Sequence, residues 1–413
     1  MRRGGNGMAK RPNFVFSQVT SLTLSMVFVI GCLVAAVPAW AARKPGHRAH
    51  RAVSAVPLYR GALLEDADTG KVLFATNADM EWPPASMAKM MLVLVAEDEI
   101  NAGRLSLNDP VRVSERVAHT GGSRLGLREG QIYPLGELIK AAVIKSANDA
   151  AVAIAEKVGG SVEACVRMMN AKAQELGMKQ TFYQTVDGLP PRPTHDADIT
   201  SALDLATVAR TLISRTNILR WTGLETAPFD DGECMLRNTN HLIGHFDGCD
   251  GLKTGFTFQA GFNLTATAKR GDMRLIAVIL GAPSNPERFR QAAKLMEWGF
   301  DNYREVSLLR QGQPLPVHVQ VESGEVIQPI AAGDVKLLVR KSDVNDLRLK
   351  YNMLQVVNAP VVNGEAVGQV IVSDGTQELA TINAISPIPV GAGAESGIRP
   401  VQAADSDHFQ ELR

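Results

Sequence analysis

The chain has 413 residues, 43 Lys plus Arg against 43 Asp plus Glu, and a composition that is 45% hydrophobic and 21% charged. A chain of that length holds two to three domains with sizeable cores, and its balanced charge gives no global pull toward nucleic acid or an acidic membrane surface. No nucleotide-binding glycine loop, zinc ligand set or calcium loop is recognisable, so neither a metal nor another cofactor is expected.

Arg2, Arg3, Lys10 and Arg11 precede "PNFVFSQVTSLTLSMVFVIGCLVAAVPAWAA", which is free of charge until Arg43. A basic start, an apolar centre and the small residues Ala39 and Ala41 around Trp40 predict a secretory signal over residues 1–41, cleaved after Ala41. Two alternatives stand beside it. The run is long enough to remain as a membrane anchor, and "VIGC" has the form of a lipoprotein cleavage site at Cys32, although the apolar "LVAAV" behind it is a poor mature start. All three export the protein. Loss of the signal leaves Cys165, Cys234 and Cys249. Cys234 and Cys249 can pair in an oxidising compartment or serve as small buried side chains, and three thiols make no disulfide framework.

Residues 42–55, basic and turn-rich, read as a linker. Residues 56–304 mix strand and helix patterns. "GALLEDADTGKVLFATNAD" predicts two strands about Asp68-Thr69-Gly70, and "SMAKMMLVLVAEDEINAG" a helix closed by Gly103. "LGELIKAAVIKSANDAAVAIAEKVGG" has helical spacing with an interruption near Ser146, and two further amphipathic helices follow. "GFNLTATAKRGDMRLIAVILGA" predicts two strands turning at Gly271-Asp272, before a closing helix. Strands at both ends with helices between them predict an α/β domain on an antiparallel sheet. Residues 305–389 carry short alternating segments such as "VKLLVR" and "AVGQVIV", the pattern of a small all-β domain. Residues 390–413 are polar and are expected to lack order.

Three short motifs in the α/β region could carry chemistry. Ser86 and Lys89 in "SMAK" are three residues apart, which on a helix places both side chains on one face. Ser146 and Asn148 stand in "SAN", and Lys253, Thr254 and Gly255 form "KTG" ahead of the "QAGFNLTATA" strand. Each has an ordinary structural explanation, since Ser starts helices and Lys-Thr-Gly makes turns. Ser106-Leu107-Asn108 also fits Ser-x-Asn, but Ser86 to Lys89 is the only Ser-x-x-Lys in the chain and Lys253 to Gly255 the only Lys-Thr-Gly. The three in this order are the signature of penicillin-binding proteins and serine β-lactamases.

The sequence resembles the low-molecular-mass penicillin-binding proteins that act as D-alanyl-D-alanine carboxypeptidases. The likeness extends to "LIKAAVIKSANDAAVAIAE", "QTVDGLP", "CDGLKTGFTFQAGFNLTATAKRGDMRLIAVILG" and, in the β module, "APVVNGEAVGQVIV", covering roughly residues 56–388. The resemblance implies a penicillin-binding-protein-like catalytic domain followed by a small all-β domain. It implies an acyl-enzyme on Ser86, formed from peptidoglycan stem peptides ending in D-Ala-D-Ala or from β-lactams. Ser146 would relay a proton to the leaving amine, Asn148 would position the substrate backbone, and Lys253 and Thr254 would hold the terminal carboxylate, with Arg237 and Arg288 as further helpers. A serine needs a base, and Lys89 can act as one only with a depressed pKa, for which burial or the nearby cation Lys253 would serve.

Two features depart from the family. Phe256 follows Lys-Thr-Gly where some relatives have His, and "RPVQAADSDHFQELR" lacks the apolar residues of the carboxy-terminal membrane helix found in many relatives. The enzyme is therefore expected to be soluble in the periplasm unless its signal segment stays in place. Of the alternatives, a class A β-lactamase would need a Glu-x-x-x-Asn between the second and third motifs, and no glutamate there has it. An endopeptidase that cuts crosslinks would use the same residues. A non-catalytic cell-wall-binding protein would not need the motif set intact.

Overall fold

The computed structural model describes residues 58–190 and 197–391, together with the backbone of 409–411. The signal, anchor, linker and Cys32 readings fall outside the described residues, as does His195.

The core of the catalytic region is a five-stranded antiparallel sheet. Its strands are β1 (Gly61–Asp66), β2 (Val72–Thr76), β7 (Cys249–Thr257), β8 (Gly261–Arg270) and β9 (Met273–Ala282), in the order β2-β1-β9-β8-β7. Two short hairpins lie between them in sequence, β3 (Pro110–Arg112) with β4 (Ile132–Pro134) and β5 (Thr226–Phe229) with β6 (Cys234–Arg237). Side chains alternate across the sheet. Ala62, Leu64, Leu275, Ala277 and Ile279 pack on one face with Phe289, Ala292 and Met296, whereas Leu63, Ile276, Val278 and Leu280 join the larger core on the other. Burial on both faces explains why β1 and β9 read as continuous apolar runs.

The helices follow from the same accounting. α1 (Lys89–Asn101) is apolar almost all round, because it runs through the middle of the helical layer with every residue from Lys89 to Glu97 buried. α2 (Glu115–Ala118) is a single turn, and α3 (Leu135–Ile144) and α4 (Asn148–Gly159) are the two halves of the interrupted helical pattern. The break falls at Ser146, whose φ of 64° is left-handed and ends the first helix. α5 (Val162–Glu175) and α6 (Ala202–Arg215) start on Ser161 and Ser201, whose side chains cap the first-turn N–H groups of Ala164 and Asp204. α7 (Leu219–Thr222) is short, and α8 (Asn285–Asn302), capped by Ser284, covers the far face of the sheet.

Past α8 come β10 (Tyr303–Leu309), β11 (Val319–Val321), β12 (Val326–Ile327), β13 (Ile330–Ala331), β14 (Val335–Arg340), β15 (Arg348–Met353), β16 (Val356–Val357), β17 (Ala366–Ser373), β18 (Glu378–Ile385) and β19 (Phe409–Glu411). They form two-, three- and five-stranded sheets around two small apolar clusters. β19 pairs with the edge of β15, so part of the segment expected to lack order has strand backbone. Tyr303 and Leu338 pack against the α8 face of the catalytic sheet, and Lys71 Nζ donates to Leu338 O at 3.1 Å, which fastens the module to the β1–β2 hairpin.

Candidate active site

Ser86 sits in a 3₁₀ turn, Ala85–Ala88, that leads directly into α1. The preceding Ala85 has φ 51°, a left-handed conformation that costs an L-residue on the order of 1–2 kcal/mol and persists only where its surroundings enforce it. Here two glycines enforce it. A Cβ on Gly188 would lie 1.8 Å from Ala85 O and 2.8 Å from Ser86 N, and one on Gly255 would lie 2.4 Å from Pro84 O. The carbonyls of Pro83 and Pro84 accept from Asn263 Nδ2 at 2.8 and 3.3 Å, and Asn263 Oδ1 accepts from Gly281 N. Asn263 is a wholly buried polar residue of β8, and this is its use.

The three motifs meet at this turn. Lys89 Nζ lies 3.1 Å from Ser86 Oγ, 2.8 Å from Asn148 Oδ1 and 2.8 Å from the carbonyl oxygen of Asp187. Lys253 Nζ donates to Ser146 Oγ at 2.8 Å and to Thr254 O at 2.9 Å. Asn148 Nδ2 donates to Gly121 O, and Thr254 Oγ1 donates to Thr239 Oγ1 at 2.8 Å. Lys89, Ser146, Asn148, Lys253 and Thr254 are all buried, while Ser86 is partly open to solvent.

Burial governs the charges. It pushes the Lys89 amine down to about 8, against the pull of the carboxylates of Asp187, Asp198 and Asp149, which favour the charged form. Lys253 is likewise held well below the usual lysine range, by burial first and then by the charges of Lys89 and Arg288. The sequence offered burial or the nearby cation Lys253 as what depresses Lys89. Burial is the cause there, and the influence of one lysine on the other is seen at Lys253.

Other expectations are altered in detail. Lys-Thr-Gly precedes the "QAGFNLTATA" strand, β8, as expected, and is itself part of a strand, the edge strand β7, against the Ser86 turn. Arg237 is exposed on β6. Arg288 is buried and gives its guanidinium to Gly255 O and Asn263 O, both at 3.0 Å, so it braces β7 against β8. Cys234 and Cys249 are separate thiols, as is the buried Cys165. His241 and His245 stand four residues apart, but in a turn rather than a helix. The ring of His241 stacks on Phe289, and His245 Nδ1 is 3.0 Å from Ile243 O. Sequence reasoning missed the Asp187 carbonyl, Gly188 and Thr239. A backbone carbonyl leaves no mark in composition, and the only signal was "QTVDGLP" as a block.

Fold and site together define a serine acyl-transfer enzyme: a hydroxyl on a held turn, a buried amine beside it, and a second buried amine on the neighbouring strand. The chain belongs to the D-alanyl-D-alanine carboxypeptidases, serine peptidases of the penicillin-binding protein 5 type: that family matches residues 52–284, and the penicillin-binding protein 5 C-terminal domain matches residues 303–391. It is 35% identical over 367 residues to the D-alanyl-D-alanine carboxypeptidase DacF of Bacillus subtilis, covering 86% of this chain and 91% of that one. Penicillin-binding protein 5 of Haemophilus influenzae superposes with a TM-score of 0.68 at 27% identity, over 81% of this chain and 98% of that chain. Penicillin-binding protein D2 of Listeria monocytogenes, solved in its ampicillin-bound form, superposes with a TM-score of 0.54 at 29% identity, over 59% of this chain and 97% of that chain.

Proposed function

We propose that Ser86 is the nucleophile and Lys89 its base, and that the enzyme removes the terminal D-alanine from peptidoglycan stem peptides. The observation that carries this reading is the triple contact of Lys89 Nζ. A charged ammonium donates along all three directions. A neutral amine keeps its donations to Asn148 Oδ1 and the Asp187 carbonyl and accepts the Ser86 hydroxyl proton along the third. With its amine lowered to about 8, Lys89 is neutral in roughly a tenth of molecules at pH 7, enough for a general base.

Ser86 Oγ attacks the carbonyl carbon of the penultimate D-alanine while its proton passes to Lys89. In this reading the Ser86 N–H donates to the developing oxyanion. The tetrahedral species collapses as the C–N bond breaks, and the leaving amine takes the proton that Lys89 had removed, relayed through Ser146, which Lys253 holds; Lys89 is neutral again. Water then attacks the ester and gives a proton to Lys89, which returns it to Ser86 Oγ as the ester C–O bond breaks. Lys253 and Thr254 receive the terminal carboxylate. The arriving anion supplies the counter-charge that the buried Lys253 amine lacks, so binding favours its protonated form. A β-lactam acylates Ser86 by the same opening step.

The basic and apolar amino-terminal segment supports export to the periplasm, where such substrates lie. Among the described residues, no helix is long and apolar enough to cross a membrane. The test is a time course of intact mass after mixing with benzylpenicillin, followed by mapping of the modified peptide. A persistent penicilloyl adduct on Ser86 is the expected result. Turnover without a lasting adduct points to a β-lactamase, and neither adduct nor turnover sinks the assignment.

A further inference from the structure

The turn that meets both Lys89 and Ser86 is itself held by a carboxylate that the proposed reaction does not use. Residues 183–188 belong to no helix or strand, yet Asp187 O accepts from Lys89 Nζ at 2.8 Å and Gly188 lies against the Ala85–Ser86 peptide. The brace is Asp198. Ile199 exchanges backbone hydrogen bonds with Phe182 at 2.9 and 3.0 Å, which brings Asp198 alongside the residues that follow Phe182. Asp198 Oδ1 accepts from Gln184 N at 2.7 Å and from Thr185 N at 2.9 Å, and Oδ2 accepts from Thr185 Oγ1 at 2.7 Å. Thr185 Oγ1 in turn accepts from Gly188 N at 2.9 Å. A carboxylate can only accept, so the threonine proton points to Asp198 and an oxygen lone pair is left for Gly188.

Asp198 is 3% exposed, and a buried carboxylate costs stability that an apolar residue of similar size would not. Its effects converge on the active site. Burial pushes Asp198 up to about 6, the hydrogen bonds from Gln184 and Thr185 pull against that, and the carboxylate of Asp187 adds to the rise. The charge of Asp198, with those of Asp187 and Asp149, favours the protonated form of Lys89. Among the described residues, Lys253 is the cation coupled to Lys89, and Tyr183 shares the surroundings of Asp198. We propose that Asp198 is a positioning residue for the reaction: through Thr185 it fixes the Asp187–Gly188 turn against Lys89 and Ser86, and its negative charge acts on the lysine amine. The inference rests on Lys89 being the base of Ser86, as proposed above.

The test follows acylation by benzylpenicillin, read by intact mass, between pH 8.5 and 6.5, where Asp198 is charged. With Lys89 titrating near 8, the rate of the parent falls about twenty-five-fold over this range. Asp198→Asn keeps an oxygen for the two backbone N–H groups and removes the charge, so the lysine gives up its proton at lower pH and the fall shrinks to about tenfold or less. Thr185→Val keeps the charge and removes the link to Gly188. Its rate is expected to drop about ten- to a hundredfold at every pH with the steepness of the parent, and Thr185→Ser to restore it. A loss of folding alone would not move the steepness of one variant and the height of the other. Asp198→Asn with the steepness of the parent, or Thr185→Val with its rate, overturns the proposal. So does a flat profile in the parent, because Asp198 then has no charged lysine to act on. The Thr185 pair decides the case if Asp198→Asn does not fold. Absence of any Ser86 adduct in the unsubstituted protein fails the earlier assignment instead, so the two failures are told apart.

Discussion

The catalytic region and the β module of residues 303–391 both close on apolar cores, yet they treat polar groups in opposite ways. Around α1 and β7 the chain buries Lys89, Lys253, Arg288, Glu65, Glu97, Asp149, Asp187 and Asp198. Among the described residues of the β module, Ser386 is the only buried polar side chain. Burying a charge is expensive unless it is paired or neutralised, so the catalytic region carries a built-in instability that the β module avoids. The difference bears on the proposed chemistry: the same burial that makes Lys89 costly lowers its amine toward the range a general base needs.

Four changes test this contrast, taken from the largest effect downward. Lys89→Met keeps the stem in its slot and removes the amine. Acylation by benzylpenicillin, followed by intact mass, should fall by at least about a thousandfold, because the variant lacks the base proposed for Ser86. Leu349→Ala empties a site in the β-module core and should destabilise that module by about 2–4 kcal/mol in urea denaturation while the acylation rate stays put. A parallel fall in acylation would show that the contrast between regions is false. Lowering the pH from 8 to 6 should slow acylation about fiftyfold, since Lys89 titrates near 8 and only its neutral form is a base. A flat profile would mean that the amine is already neutral throughout.

The smallest effect concerns Glu65, buried under α6 and pushed up to about 7 by desolvation, with Arg210 Nε at 3.5 Å a partial offset. The folded state holds this proton between the ordinary carboxylate value and about pH 7, where the unfolded chain has released it, so stability declines as pH rises through that window. Glu65→Gln should therefore match the parent at pH 4 and exceed it by about 1–2 kcal/mol at pH 8 in thermal or urea unfolding. A loss of stability at pH 8 would show that the pair with Arg210 outweighs burial.

Much of this was legible in the residues themselves. Asp68-Thr69-Gly70, Gly103 and Gly271-Asp272 marked their turns correctly because positive φ selects glycine, and the structure has left-handed values at Gly70, Gly103 and Gly271. The break at Ser146 showed as a lapse in helical periodicity. The short hairpins β3–β4 and β5–β6 escaped because three or four residues are too few to show alternation. Lys-Thr-Gly could be read as a turn ahead of the β8 strand, whereas it is itself strand, and Gly255 is there for the close approach of Pro84. The proximity of Ser86, Asn148 and Lys253 followed from family likeness rather than from spacing. Contacts between distant segments leave no local pattern, and the carbonyl of Asp187 could come only from the fold.

Gly188 carries one more consequence. Its α-carbon lies flat against the Ala85–Ser86 peptide, leaving no room for even a methyl group. Two stretches far apart in the chain are thereby made into one mechanical part, with Asp187 gripping the lysine on one side and Gly188 serving as the shim beneath the serine on the other. The height of the reactive hydroxyl in its cleft is set by the thickness of a glycine.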